Sequence, residues 1–308
     1  ATAAGPGLAV EVLAPDLPGH GLTGQWTAPA GIGSWAGGRA ADVEFLREVL
    51  TSTSRPSAMG VAPKRQRLVL VGHSLGAAVA VAYAAKHPED VLGAVLVAPW
   101  GLEYRSARPE EWEFCSPLIS LGLSPRFRPL VAVVLAVAKL VTPLPLVRLI
   151  SRSAFGQGAD CEAAVASRAA RRRAADRMHA LMLREGNRAA LAQRLAELVA
   201  EEADHKHWRA LMWIQLASLR CPVQLQWGTA DTWLPVTRVG SFREALASRS
   251  EVAPPPDVRL FPGVGHCVAE QEPRLSAVAA WEHIQSSLLD VSEAPQTPHR
   301  PCQEPKIH

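Results

Sequence analysis

The segment 68–80 constrains the fold of this 308-residue chain more than any other part of it. It reads LVLVGHSLGAAVA: a short apolar strand, an abrupt turn that holds one serine, and an alanine-rich helix. A continuous apolar strand is typical of a parallel sheet buried on both faces. The turn has the form G-x-S-x-G, which exposes the Ser74 hydroxyl where the strand gives way to the helix.

The residues around Ser74 suit a nucleophile. Gly72 and Gly76 are expected to leave room where the strand and helix backbones approach closely, because a Cβ atom would clash there. The helix directs its N-terminal N–H groups at the place where negative charge would develop on a carbonyl under attack. The alternative is an ordinary turn in which Ser74 caps the helix.

Further strands are predicted on either side of this unit. Residues 91–98 form a second continuous apolar run, and residues 222–227 and 257–261 resume sheet character late in the chain. Residues 8–14 are another strand candidate because they are rich in branched side chains. Short links between strand, helix and strand predict a mostly parallel α/β sheet.

The middle of the chain, residues 100–219, has helical patterning and no good buried strand, which predicts a helical cap. Its apolar run, 130–138, is read as a lid helix over a pocket, with peripheral contact to a lipid surface as the alternative. The core is then expected in two parts, 1–99 and 220–290. Proline recurs after residue 290, so the tail 291–308 is expected to be disordered.

Charge and cysteine content exclude several classes of function. The net charge of +3 and the isoelectric point near 8.7 come from interspersed acids and bases, which argues against a nucleic-acid partner. Five scattered cysteines without C-x-x-C spacing favour reduced thiols in an intracellular, non-secreted protein, with neither a zinc site nor a disulfide framework. No apolar run reaches the roughly 18 residues of a membrane span.

Two clusters in the cap region carry charge or possible metal ligands. The arginines Arg168, Arg171, Arg172, Arg173 and Arg177 are interpreted as a solvated helix face, with an anionic partner as the alternative. His205 and His207 are two positions apart, which places them on different sides of a helix, so no metal site is predicted there.

A serine hydroxyl needs a base to accept its proton and a carboxylate to orient that base. Asp231 follows one predicted strand inside G-x-x-D, and His266 follows the last strand inside G-x-G-H. The carboxyl ends of parallel strands share one edge of the sheet, so these side chains are expected to meet Ser74 there.

The order Ser, Asp, His, each on its own strand-end turn, resembles the α/β-hydrolase superfamily. The loop D-L-P-G-H-G at 16–21 also matches, and the resemblance covers residues 8–100 and 220–290. It implies Ser74 as nucleophile, His266 as general base, Asp231 as orienting acid and the Leu75 N–H as an oxyanion donor. It implies neither cofactor nor metal. Glu103 is the alternative acid, and His20 is expected to be structural, in a loop that lines the approach.

One departure from the family concerns the second oxyanion donor, which a loop after the third strand supplies. The residues before Asp16 do not contain that motif, so strands 1–3 are expected to be missing and the sequence is expected to begin inside the fold. Without that donor, transition-state stabilisation would fall by roughly 3 to 4 kcal/mol.

The expected function is a serine hydrolase that cleaves a small-molecule carboxylic ester with apolar groups through an acyl-serine intermediate. Tryptophans near the presumed pocket suggest the apolar preference: Trp100, Trp112, Trp208, Trp213 and Trp233. An acyltransferase, a thioesterase or a C–C hydrolase could use the same triad. A catalytically impaired binding protein is the alternative from a different class.

Overall fold

The computed structural model describes residues 10–18, 20–23, 39–53, 67–104, 133, 144–156, 161–184, 186–249 and 253–293. The strands are β1 (Leu68–His73), β2 (Val91–Val97), β3 (Val223–Gly228) and β4 (Asp257–Phe261). The helices in these ranges are α1 (Arg39–Thr53), α2 (Leu75–Lys86), α3 (Leu144–Ala154), α4 (Cys161–Met182), α5 (Asn187–Ala203), α6 (His205–Ser218), α7 (Val239–Ala247), α8 (Val268–Gln271) and α9 (Pro273–Glu293), with a 3-10 turn at Val236–Arg238. None of these helices is long and apolar enough to cross a membrane.

The predicted α/β class is confirmed: the four strands form one parallel sheet in the order β1-β2-β3-β4, flanked by helices. Because every strand is parallel to its neighbour, all four carboxyl ends lie at the same edge. The helices α3 to α6 fall between β2 and β3, in the region where a helical cap is predicted.

The strand candidate at 8–14 is wrong where the structure describes it. Residues 10–14 have no strand hydrogen bonding, and the side chains of Val10, Val12 and Leu13 are exposed. Branched residues favour a strand only when a neighbouring strand pairs with it and one face is buried. Residues 8 and 9 lie outside the described ranges.

The elbow strand β1 is less buried than its apolar sequence predicts. Leu68, Val69 and Leu70 are half-buried, and Val71 is 60% exposed. The cause is position: within the described residues β1 pairs with β2 and forms the edge of the sheet. Strands β2 and β3 lie inside the sheet and are almost completely buried.

One face of the sheet carries the larger core. Ala77 and Ala78 of α2 are fully buried, and Met212 and Leu216 bring α6 into the same cluster. Small side chains let α2 lie close to the strands that precede and follow it. This packing holds the turn between β1 and α2 at a fixed position.

The other face contains a buried polar ladder. Gln224 and Gln226 in β3 have no exposed surface, and the Gln226 amide donates to Gln224 Oε1 at 2.8 Å. Gln224 also donates to the Ala279 carbonyl at 2.9 Å, and Ser276 donates to Gln226 Oε1 at 2.6 Å. Buried amides are stable when paired in this way, so the ladder fixes α9 on the sheet.

One predicted boundary changes, at the start of the C-terminal tail. Helix α9 continues to Glu293, so a disordered tail beginning at residue 291 is wrong for its first three positions; residues 294–308 lie outside the described ranges. The apolar run 130–138 also lies outside them except for Val133, which is helical and exposed.

The two elbow glycines are not equivalent, which corrects the sequence interpretation. A Cβ atom on Gly72 would lie 2.5 Å from the Gly76 carbonyl oxygen and 2.6 Å from Ala77 Cα. A Cβ atom on Gly76 would meet no atom of the described chain within 4 Å. The close approach therefore concerns the strand side of the turn, where only glycine fits.

We expect Gly72→Ala to lower the free energy of unfolding by about 1–3 kcal/mol, because the added methyl group must push backbone atoms apart. Gly76→Ala is the matched control and should leave stability unchanged or raise it, since alanine favours a helix by about 1 kcal/mol over glycine. Urea unfolding of both variants measures the difference. Equal losses in the two variants would contradict the close approach at Gly72.

Candidate active site

Ser74 occupies a strained position at the turn between β1 and α2. Its backbone has φ 53° and ψ −117°, which few residues other than glycine adopt. The Ser74 N–H donates to the Val97 carbonyl at 2.9 Å, and the Ser74 carbonyl accepts from Trp100 N at 3.2 Å. Bonds to β2 and the segment after it therefore hold the conformation in place.

The Ser74 side chain makes no capping hydrogen bond to α2, so the helix-cap interpretation is wrong. Leu75 is the first residue of this helix. Its N–H belongs to the first turn, where backbone donors lack partners within the helix. The elbow thus places a hydroxyl and a backbone donor side by side.

His266 and Asp231 meet as the sequence predicts. His266 Nδ1 lies 2.8 Å from Asp231 Oδ2, and both residues are buried. Asp231 Oδ1 accepts from the N–H groups of Trp233 and Leu234, each at 2.8 Å. A carboxylate held from both sides can orient the imidazole so that Nε2 carries the free lone pair.

Backbone bonds between two strand-end loops bring this pair together. Thr229 N donates to the Phe261 carbonyl at 3.0 Å, and Ala230 N donates to the Val264 carbonyl at 2.8 Å. The loops after β3 and β4 are therefore joined just before Asp231 and His266. Adjacent parallel strands make such a junction possible although 35 positions separate the two residues.

His73 connects the elbow to the histidine loop. Its Nε2 lies 2.9 Å from the His266 carbonyl, and the two imidazole rings are 4.7 Å apart. Because a carbonyl can only accept, His73 Nε2 must donate. The structure thus brings His266 against the residue preceding Ser74, although no hydrogen bond joins the Ser74 hydroxyl to His266 in the described residues. Catalytic hydrogen bonds often shorten only when substrate is bound.

Two neighbours of His266 have shifted pKa values. Desolvation, together with the His266 ring, lowers the pKa of His73 to about 4, so His73 is uncharged at neutral pH. An uncharged His73 does not repel a proton that arrives on His266. Burial, with smaller effects from Glu270 and Asp231, raises the pKa of Cys267 to about 12. The Cys267 thiol therefore stays protonated and is a poor nucleophile.

Comparison with known proteins identifies the family of this chain. A model described as the alpha/beta hydrolase family matches residues 1–280. The chain belongs to the alpha/beta hydrolase family.

Curated relatives match this chain over short segments. It is 34% identical to the (lyso)-N-acylphosphatidylethanolamine lipase of Bos taurus over 96 residues, which are 31% of this chain. It is 46% identical to the lipase of the same name from Mus musculus over 44 residues, which are 14% of this chain. These matches span 24% of the bovine protein and 13% of the mouse protein.

Solved structures share the fold at low identity. A bromoperoxidase from Bacillus anthracis is 14% identical with a TM-score of 0.58, covering 88% of this chain and 80% of its own. A thermophilic esterase from Thermogutta terrifontis is 19% identical with a TM-score of 0.54, covering 88% and 78%. At such identities the likeness establishes the architecture, while function must be argued from the site.

The end of α3 contacts the loops that carry Asp231 and His266. Trp233 stacks on the His266 ring at 5.3 Å, and its Nε1 donates to Ser153 Oγ at 2.9 Å. The Ser153 carbonyl accepts from Thr232 Oγ1 at 2.7 Å, and Cys267 N donates to the Ala154 carbonyl at 3.3 Å. The end of α3 is therefore hydrogen-bonded to both of these loops.

Gln271, in α8, is a residue of the site that sequence reasoning missed. Its Oε1 accepts from Gly156 N at 2.9 Å and Gly265 N at 2.7 Å, so one side chain joins the α3 loop to the residue before His266. Its amide donates to Ser167 Oγ at 2.9 Å. A glutamine at the end of a short helix has no sequence pattern that reveals this role.

Glu103, the alternative acid, forms a buried ion pair instead of contacting His266. Its Oε2 accepts from Arg238 NH1 at 2.9 Å, its Oε1 binds Ser241, and both charged side chains are 2% exposed. His266 Nδ1 bonds Asp231 instead. The structure therefore brings Asp231 to the histidine and places Glu103 in a buried ion pair.

The remaining candidates have structural contacts. His20 Nδ1 lies 3.0 Å from the Pro18 carbonyl, as expected for a residue of a rigid loop. Trp100 Nε1 donates to Glu201 Oε2 at 3.0 Å, and Trp208 lies beneath the Arg39 guanidinium at 4.6 Å. These contacts account for both tryptophans as parts of a buried polar network, which weakens them as support for an apolar substrate pocket.

One cluster in the described residues brings together side chains of the kinds that bind metal ions. His87, Glu89 and Asp90 follow α2 and place one ligand atom each within 4.8 Å of the others. Asp90 is already paired with Arg47, which supplies a positive charge at that position. His205 and His207, for which the sequence predicts no metal site, are not in this cluster. The expected absence of the second oxyanion donor stays a prediction, because residues 1–9 and 24–38 lie outside the described ranges.

Proposed function

We propose that this chain is a serine hydrolase that cleaves carboxylic esters with apolar groups through an acyl-serine intermediate on Ser74. The observation that carries the proposal is the buried Asp231–His266 pair, 2.8 Å apart, in contact with the residue that precedes a strained serine elbow. A buried carboxylate, a histidine and a half-buried serine at one sheet edge are the parts that acyl transfer needs.

In the proposed mechanism, Ser74 Oγ attacks the ester carbonyl while His266 Nε2 accepts its proton. The Leu75 N–H donates to the oxyanion of the tetrahedral intermediate. His266 then returns the proton to the departing alkoxide, and the acyl group stays on Ser74. Water, deprotonated by His266, releases the acid. Asp231 remains ionised throughout and keeps Nδ1 protonated, so that Nε2 is always the reacting nitrogen.

The names of the curated relatives favour a lipid ester. Those lipases act on (lyso)-N-acylphosphatidylethanolamine, and a long acyl ester suits the apolar preference proposed here. A panel of p-nitrophenyl esters of increasing chain length tests this preference. We expect kcat/KM to rise with acyl length, and a maximum at the acetyl ester would contradict it.

Ser74→Ala tests the nucleophile directly. A fluorophosphonate probe should label the purified full chain once, and Ser74→Ala should abolish labelling, because the covalent bond forms on the serine oxygen. Ser218→Ala, at the exposed end of α6, is the matched control and should be labelled like the parent. Absence of labelling in the folded parent would contradict the hydrolase proposal and favour a binding protein.

A further inference from the structure

A cleft outside the proposed catalytic site lies between α3 and α4. It encloses about 620 Å³, within the range of small-molecule sites. Five of its eight lining residues are arginines and none is acidic. The lining comprises Pro145, Arg148, Leu149, Arg152, Arg168, Arg171, Arg172 and Ala175.

The arginines come from both walls of the cleft. Arg148 and Arg152 are four positions apart on α3, so they share one face of that helix. Arg168, Arg171 and Arg172 follow the same helical spacing on α4. Arg173 is also exposed on α4 but does not line the cleft. Only part of the basic cluster predicted from the sequence therefore lines the cleft, and that part lies opposite the two arginines of α3.

Most of this charge is not neutralised within the described chain. Arg148 pairs with Asp176 at 2.9 Å. The other four lining arginines form no ion pair with a described residue. Apolar packing of Ala154 and Phe155, at the end of α3, against Ala170 in the middle of α4 holds the like charges together. A bound anion would relieve their repulsion, and a guanidinium can bind two phosphate oxygens at once.

Apolar side chains stand beside the arginines. Leu149 lines the cleft and is 51% exposed, and Leu146 and Val165 nearby on the same two helices are 40% and 58% exposed. Exposed aliphatic residues next to arginine are typical of a surface that meets the boundary between lipid headgroups and acyl chains. A free phosphate ion would use the arginines but not this apolar rim.

The cleft leads toward the catalytic loops. Arg152 immediately precedes Ser153, whose hydroxyl accepts from Trp233 Nε1 and whose carbonyl accepts from Thr232. Trp233 stacks on His266. A ligand bound to Arg152 would therefore lie one residue from Ser153, which hydrogen-bonds the tryptophan stacked on His266.

We propose that the arginine cleft binds the phosphate of an anionic lipid headgroup and holds the protein at a lipid surface. This inference extends the proposed function by placing the ester substrate at a lipid surface. It rests on the proposed function only for which reaction takes place there. Binding itself needs no catalysis, so the two proposals can fail separately.

The test is sedimentation of the full chain with phosphatidylcholine vesicles that contain or lack phosphatidic acid. We expect binding to require phosphatidic acid. Arg168→Gln/Arg172→Gln should weaken it about thirty-fold, since each arginine near an anionic surface contributes about a factor of five. The matched control Arg173→Gln/Arg184→Gln removes the same charge from exposed positions outside the cleft and should bind like the parent.

Four results would overturn the proposal. Equal loss in both double variants would indicate general charge attraction, and equal binding to pure phosphatidylcholine would indicate apolar contact alone. Release from phosphatidic acid vesicles by millimolar inorganic phosphate, but not by equimolar chloride, would assign the cleft to the free ion. Binding of a DNA oligonucleotide with the same variant sensitivity would assign it to polyanions in general.

The fluorophosphonate result separates the two proposals. If the parent binds vesicles but is not labelled, the cleft stands and the hydrolase proposal falls. If it is labelled at Ser74 and does not bind vesicles, the hydrolase proposal stands and the cleft proposal falls.

Discussion

Asp231→Asn is expected to lower kcat by about 10⁴-fold on a soluble ester while KM changes little. Asp231 Oδ1 accepts two backbone N–H bonds, so an asparagine in its place must put its carbonyl there and its NH₂ toward His266. An NH₂ group can only donate, so His266 would have to present Nδ1 as the acceptor. Nε2 would then carry the proton and could not accept one from Ser74.

The measurement is steady-state kinetics on a p-nitrophenyl ester, with circular dichroism to show that the fold is retained. Asp204→Asn, at the exposed junction of α5 and α6, is the matched control and should keep full activity. A loss of less than ten-fold in Asp231→Asn would contradict the role of this carboxylate.

Glu103→Gln is expected to have the opposite profile: a loss of about 3–5 kcal/mol in the free energy of unfolding and little change in activity per folded molecule. Glu103 and Arg238 form an ion pair in which each side chain is 2% exposed. Removing the negative charge of Glu103 takes one ion-pair partner from a buried guanidinium. His266 keeps Asp231, so the catalytic histidine is unaffected.

Urea unfolding measures the stability loss, and kinetics well below the unfolding midpoint measures the activity. Glu270→Gln breaks the exposed pair with Arg177 and should cost less than about 1 kcal/mol. If Glu103 were the triad acid, its variant would instead lose activity as Asp231→Asn does and unfold near the parent midpoint. The two variants together therefore assign the acid.

The positions of the proposed catalytic residues were predictable because they obey a local rule. Ser74, Asp231 and His266 each follow an apolar strand within a glycine-containing turn, and parallel strands bring such turns to one edge. The strand, turn and helix around Ser74 depend on residues within about a dozen positions. Short-range information of this kind is present in the sequence, and it also predicted the α/β class and the parallel sheet.

Burial was less predictable because it depends on neighbours distant in the sequence. The apolar sequence of β1 predicts burial on both faces, yet β1 forms the edge of the described sheet and Val71 is exposed. Residues 10–14 have strand propensity but no strand partner in the described residues. Gly76 looks as constrained as Gly72, yet only Gly72 faces a backbone atom.

The sequence by itself determined the order of the proposed catalytic residues and the elbow that presents Ser74, because both follow from residues close together in the chain. Only the tertiary structure decided between Asp231 and Glu103, since the choice depends on which carboxylate packing brings to His266. It likewise revealed Gln271 and the arginine cleft. Gln271 joins elements that are far apart in the sequence, and the arginine cleft lies between two separate helices. No local sequence pattern indicates which surfaces will meet.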